Sequence, residues 1–233
     1  MQFVIGIGVL ILAYIIGSIP FGWLIVKLKT GKDIREIASG RTGGTNAMRA
    51  AGFWVGMLTT IMDILKSAIT VWISRAIIPD LQLIHVLAPI AAILGHNYSI
   101  FVPERNEQGR IVRLKGGAGG APSIGGAFGL WGPSIYIIFP MGLLIFFTIG
   151  IASITTISVA FIAIIIFTIR ALQGLDPWIY VLYGVLAAVL LIWALRPNLK
   201  KLFSGKERIV RQSLHGWIKS KRDSKQPKVS NAN

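Results

Sequence analysis

Apolar runs long enough to cross a bilayer recur from the start of the chain to residue 194, and they leave few folds open. A helix needs about 20 mostly apolar residues to span the hydrocarbon core, and inside lipid its backbone must satisfy its own hydrogen bonds. Spans are expected at residues 3–26, 53–78, 81–101, 119–130, 134–150, 152–169 and 178–194. The fourth is too short to cross unless residues 116–119 are also helical or the segment is half-buried, and the last should stop at Pro197. No basic region precedes the first run, which is also too long for a cleaved signal peptide. Only 14% of the 233 residues are charged and 54% are hydrophobic, whereas about a quarter of a soluble domain is charged. The fold expected is an all-α polytopic membrane helix bundle of about seven transmembrane helices.

Lys and Arg set the orientation, because short cytoplasmic loops retain them. Six follow the first span (Lys27, Lys29, Lys32, Arg35, Arg41 and Arg49) and four follow the third (Arg105, Arg110, Arg113 and Lys115). Eleven more lie from residue 195 onward, whereas the opposite loops hold Arg75 and Arg170. The N-terminus is therefore expected outside and the C-terminus inside. Residues 1–205 read as one membrane domain and residues 206–233 as a basic cytoplasmic tail. In that tail Leu214, Trp217 and Ile218 supply one interfacial turn, and the last ten residues read as disordered. The net charge of +15 then reflects loop retention and pairing with anionic membrane lipids rather than nucleic acid. With no cysteine, and with His85, His96 and His215 scattered, neither a metal nor a cofactor is expected.

Three polar elements fall on the basic side. The first carries Ser39, Gly40, Arg41, Gly43, Gly44, Thr45, Asn46 and Arg49. Its glycines let backbone N–H groups turn onto an anion, and Arg49 can grip phosphate oxygens bidentately. A juxtamembrane turn with retained charges is the equal alternative. The second, Lys115, Gly116, Gly117 and Gly119, suits an anion cradle at a helix start; close helix packing is its alternative. Asn198, after Pro197, belongs to the third, which alone reads as an ordinary basic helix end. Within the spans, Asp63 and Lys66 share a helix face as a structural polar pair. His96 reads as a donor or base, or as an interfacial histidine bonded to a carbonyl. Ser153, Thr155 and Thr156 begin the sixth span on the same side, where serines more often bond their own helix.

In order, these elements resemble the bacterial acyl-phosphate-dependent glycerol-3-phosphate acyltransferase family, across nearly the whole chain. Ser39-Gly40 with Gly43-Gly44-Thr45-Asn46 and Arg49 is similar to its first motif. Asp63 and Lys66 fit its Asp-x-x-Lys. His96 with Lys115-Gly116-Gly117-x-Gly119 is similar to its second motif, and Asn198 with Gly205-x-Glu207 to its third. The resemblance implies a seven-span enzyme of the bacterial plasma membrane, with its site facing the cytoplasm. Its partners would be acyl phosphate and glycerol 3-phosphate, and its product lysophosphatidate for phospholipid synthesis. It implies catalytic roles for Ser39, Arg49 and Lys115, with Ser153 and Asn198 in the pocket.

The departures are specific. Where the family pattern has a second lysine stands Ala118, and where it has a histidine before the final asparagine stands Leu195. Arg41 replaces an asparagine, Pro122 a threonine, and a charged insertion at residues 103–112 separates His96 from Lys115. Losing one phosphate-contacting lysine costs about 1.5–3 kcal/mol, and Arg41 is expected to supply that charge from the opposite loop. These changes also keep open a relative with an altered acceptor or lost catalysis. A small transporter is the remaining alternative, although no inverted repeat is visible and the polar groups gather at one interface.

Overall fold

The computed structural model describes residues 2–210 and 213–225. The chain runs through α1 (Gln2–Ser18), α2 (Phe21–Thr30), α3 (Gly44–Ala51), α4 (Phe53–Ile77) and α5 (Gln82–Asn97). A hairpin follows, β1 (Ser99–Arg105) and β2 (Ile111–Lys115), and then α6 (Gly120–Leu130), α7 (Ile135–Thr148), α8 (Ala152–Leu172), α9 (Ile179–Phe203) and α10 (Leu214–Lys225). The bundle is helical with membrane-crossing character: α1 with α2, α4, α8 and α9 are each long and apolar enough to span. Large apolar side chains such as Trp54, Leu58, Phe161, Ile165 and Val189 stand exposed around it, as lipid contact requires.

The structure revises the expected first and last spans and the interfacial turn, ends the third span's helix at Asn97, and fills in the fourth segment and the insertion. The first span is two helices, broken at Ile19 and Pro20, because proline cannot donate within a helix and disfavours helical geometry before it. Residues 116–119 are not helical, so the fourth segment is an 11-residue helix, about 16 Å at 1.5 Å per residue. Helix α9 continues through Pro197 to Phe203. The charged insertion is the antiparallel hairpin β1–β2. The interfacial turn expected around Trp217 is a 12-residue helix, α10. Of the ten terminal residues expected to be disordered, those from 226 onward lie outside the described residues.

Helix α6 sits inside the bundle, against α4, α5 and α8. Its glycines make that possible: a Cβ on Gly125 would run into the Ile64 backbone and one on Gly129 into Val71. On its other side Tyr183 is fully buried and its hydroxyl donates to the Ser123 carbonyl at 2.5 Å. Phe167 packs edge-on to both Tyr180 and Tyr183, and Ile64, Ile93, Ile124 and Leu191 complete this core.

A helix that ends within a packed bundle must find donors for its last carbonyls. Arg75 supplies them, donating to the Gly129 and Leu130 carbonyls at 3.1 and 2.7 Å and to the Tyr180 hydroxyl at 2.8 Å. Arg170, the other arginine of that end, pairs with Asp176 at 2.6 Å and stacks on Trp131. Both cations of that end are therefore structural. Arg75→Met should lower stability by about 1–3 kcal/mol, the cost of leaving buried carbonyls bare. Thermal unfolding in detergent, with an unchanged transition as the contrary result, checks this.

Candidate active site

Four chain segments meet at the opposite end of the bundle: the α2–α3 loop, the residues between β2 and α6, the start of α8, and the end of α9. Together they line a cavity of about 1140 Å³. Helices α3, α6 and α8 all begin on it, through Gly44, Gly120 and Ala152. Helix N-termini carry unpaired N–H groups and partial positive charge. The backbone N–H groups of residues 118–121 have no partner among the described residues, and Pro122 has no N–H to give. Arg41, Arg49 and Lys115 add full charges to the lining, and Phe53, Met57, Phe139, Leu143 and Phe146 make the rest of its wall apolar. One end suits an anion and the other a hydrocarbon chain.

The α2–α3 loop is built by Asn46. Its side-chain nitrogen lies 2.9–3.1 Å from the carbonyls of Arg41, Ile37 and Ile34, and its oxygen accepts from the Ser39 N–H. Expected to bind phosphate, Asn46 is instead fully committed to the loop. Gly44 is likewise committed to packing, since a Cβ there would strike Gly56 and Thr60 of α4. Gly43 caps α3. Gly40 is left-handed at φ +68, with the Arg35 carbonyl and the Lys115 side chain beside it. At the loop's start Asp33 accepts from the Arg35 backbone and pairs with its guanidinium at 2.7 Å, which holds the Asp33 carboxyl down at about 2. Ser39, Thr45 and Arg49 are left to face the cavity. Arg49 makes no hydrogen bond to the described residues; burial, and then Arg208, lower its proton affinity.

Arg41 reaches across to the other segments. It donates to the Gly117 carbonyl at 2.9 Å, to the Ala194 carbonyl at 2.6 Å and to Asn198 Oδ1 at 3.3 Å. Its guanidinium thus bonds the residues just before Ala118 and Leu195, the two positions where the sequence departs from the pattern it resembles. Asn198 in turn donates to Glu207 at 2.9 Å.

The hairpin loops the insertion out without moving the glycines away from His96. Ser99 pairs with Lys115 in its register, and the Gly117 N–H donates to the His96 carbonyl at 2.9 Å. Gly116 and Gly117 pack so closely on His96 and Asn97 that neither has room for a Cβ. Lys115 pairs with Glu104 of β1, and that bond holds Glu104 below the usual carboxylate range. Beneath them Lys66 Nζ lies 2.8 Å from Asp63, 2.8 Å from the Ile19 carbonyl and 3.1 Å from His96 Nδ1. His96 Nδ1 also lies 3.5 Å from Asp63 Oδ1, and its Nε2 faces Gly43 and Gly117.

Ser153 Oγ is buried on the cavity with no partner among the described residues. Asn97, which no sequence motif marks, is only 5% exposed, lines the cavity and has neither amide atom bonded among the described residues. A lone asparagine beside a histidine at a helix end gives little warning of this.

Residues 7–205 match the family sequence model described as glycerol-3-phosphate acyltransferase. A glycerol-3-phosphate acyltransferase of Syntrophomonas wolfei is 32% identical over 86% of this chain and 94% of its own. One from Thermus thermophilus is 34% identical over 85% and 92%. Among solved structures, the chain resembles PlsY, an integral membrane glycerol 3-phosphate acyltransferase, in its glycerol 3-phosphate form. That match has a TM-score of 0.73 at 29% identity, covering 88% of this chain and 94% of PlsY. The lysophosphatidic acid form matches with a TM-score of 0.69.

Two outcomes follow from the first loop. Asn46→Ala should cost about 1–3 kcal/mol, since it strips the donor from three carbonyls, and should open residues 31–43 to protease. Because Asp33 titrates at about 2 when folded, against 3.8 ordinarily, its stabilisation is complete above about pH 4 and fades as pH falls toward 2. Hydrogen exchange of that loop should therefore be insensitive to Asp33 between about pH 8 and pH 5; protection lost in that window would contradict the pairing.

Proposed function

The chain belongs to the glycerol-3-phosphate acyltransferase family, and from that premise we propose that acyl phosphate is its donor and that its site faces the cytoplasm. It is a membrane-embedded acyltransferase of phospholipid synthesis. The observation that carries the finer reading is the two-ended cavity: three helix starts and a cluster of basic side chains that includes Arg41, Arg49 and Lys115 at one end, aromatic and aliphatic walls at the other. An acyl phosphate has that same division. The cytoplasmic placement, with N-terminus outside and seven membrane segments, is supported by the crowding of Lys and Arg at the cavity end.

In this mechanism the sn-1 hydroxyl oxygen of glycerol 3-phosphate attacks the acyl carbonyl carbon. The bond from that carbon to the phosphate oxygen breaks, and inorganic phosphate departs with the electron pair. Arg49 and Lys115, with Ser39, Thr45 and the unpaired N–H groups of residues 118–121, hold the phosphoryl oxygens and the developing oxyanion. Arg41 supplies charge where Ala118 and Leu195 supply none, and fixes Asn198 and Gly117 around the acceptor; Ser153 and Asn198 meet its hydroxyls. Gly40, Gly43, Gly44, Gly116, Gly117 and Gly119 bring the backbone close, while Asn46, His96, Asp63 and Lys66 hold the loops in place. His96 serves as a positioning residue, its Nδ1 held beside Lys66 and Asp63. The hydroxyl proton passes to a phosphate oxygen of the acceptor, whose second pKa is near 6. A changed phosphorylated acceptor is the second reading, favoured by the buried Leu195 on the acceptor side of the cavity.

The deciding assay is acyl transfer by the purified protein from palmitoyl phosphate to radiolabelled glycerol 3-phosphate. Labelled lysophosphatidate is expected, with kcat/KM reduced at least about a hundredfold by Arg49→Ala and about tenfold or more by Arg41→Ala. Wild-type product with no loss in Arg41→Ala would refute the compensating role of Arg41. Absence of product despite retained acyl phosphate binding would favour the changed acceptor.

A further inference from the structure

The family match ends at residue 205, but described residues beyond it, from Ile209 to His215, pack back onto the bundle. It turns at left-handed Gly205, and Ile209 then bridges to Ile151 in the turn between α7 and α8. The Val210 N–H donates to the Gly150 carbonyl at 2.7 Å, and Val210 and Ser213 are buried. Ser213 caps α10 by accepting from the Gly216 N–H at 3.0 Å, and His215 Nδ1 lies 3.2 Å from the Ile149 carbonyl. This anchoring leaves Lys219 and Ser220 of α10 facing Ala38 and Arg49 across a second cavity, of about 570 Å³.

The second cavity is cationic. Arg49, Lys206, Arg208 and Lys219 line it against the single carboxylate of Glu207, whose Oε1 accepts from Asn198 at 2.9 Å while its Oε2 has no hydrogen-bond partner among the described residues. Cations gathered without matching acids repel one another unless an anion joins them. The cavity also adjoins the larger one, since Ala38, Arg49, Lys206, Glu207 and Arg208 line both. Arg49 stands between them with no hydrogen bond to the described residues.

We propose that the segment after Gly205 closes a second anion site, built for a phosphate group, on the aqueous approach to the catalytic cavity. A phosphate carries nearly two negative charges at neutral pH and several acceptor oxygens, which the four cations lining the cavity can meet; the Ser220 hydroxyl is already donated to the Trp217 carbonyl at 2.9 Å. Two sources share this chemistry. One is soluble glycerol 3-phosphate held before it passes Arg49, a deepening that rests on the acyl-transfer reading. The other is the headgroup of an anionic lipid, within reach because Leu214, Trp217 and Ile218 are exposed on α10, beside Lys219, Lys221 and Arg222.

The test uses the full chain in nanodiscs of phosphatidylcholine, with and without phosphatidylglycerol, comparing wild type with Lys219→Glu and Lys219→Arg. Lys219 is exposed, so both variants should fold; thermal unfolding confirms it. In phosphatidylcholine alone, Lys219→Glu should raise KM for glycerol 3-phosphate about three- to tenfold. Its kcat and its KM for acyl phosphate should hold, and Lys219→Arg should behave as wild type. That result assigns the soluble source. A wild-type rate that depends on phosphatidylglycerol, with the dependence lost in Lys219→Glu, assigns the lipid headgroup. Identical kinetics of wild type and Lys219→Glu in both nanodiscs overturn the site. Calorimetric titration with inorganic phosphate separates this from the reaction itself. Two phosphates per wild-type chain and one per Lys219→Glu chain support the second site even if no acyl transfer occurs; equal stoichiometry overturns it.

Discussion

One buried ammonium group holds the catalytic end of this bundle together. Lys66 is 3% exposed, and its three contacts reach Asp63 on its own helix, the Ile19 carbonyl at the break between α1 and α2, and His96 at the end of α5. A charge in that position is tolerated only if fully engaged, and engaging it fixes three chain segments at one point. The carbonyl exposed by the Pro20 break finds a donor there. His96 is held with its carbonyl toward Gly117 and its Nε2 against the glycine loop. From this cluster the geometry of the second loop follows.

Around it, backbone groups are satisfied by side chains from elsewhere in the sequence. Asn46 does this for the first loop, Arg41 for the Gly117 and Ala194 carbonyls, and Arg75 for the truncated end of α6. Such donors are needed because helix ends and turns leave carbonyls without helical partners where packing excludes water. Their consequence is electrostatic: three helices start on one cavity, and the N–H groups of residues 118–121, without a partner among the described residues, can receive an anion. Acyl transfer asks for little else, since the donor is already activated and the protein must chiefly position and neutralise charge.

Two departures from the familiar pattern fall beside one arginine. Ala118 and Leu195 lack the charge and the ring that the resemblance leads one to expect, yet Arg41 bonds the neighbours of both. Its guanidinium offers five donors in a fixed fork, so a single residue can tie three segments where two separate side chains would otherwise act. The hairpin insertion is absorbed differently, by folding outward on its own ladder.

Much was legible in the sequence because lipid imposes a coarse and local rule. The apolar runs declared the helices, the Lys and Arg asymmetry declared which loops share a side, and the i,i+3 spacing of Asp63 and Lys66 declared their pairing. Glycine-rich loops and Arg49 pointed to an anion. What the sequence could not show were interactions between residues far apart in the chain. That Asn46 is structural while Ser39 and Thr45 stay free depends on which carbonyls surround each. That Asn97 is buried and unpartnered, that α9 runs through Pro197, and that α10 folds back to meet Arg49 depend on neighbours supplied by other segments. Composition and periodicity report what each segment can become in lipid. Only tertiary packing decides which of its polar groups are used up and which are left for a substrate, because that depends on donors and acceptors brought together from distant parts of the chain.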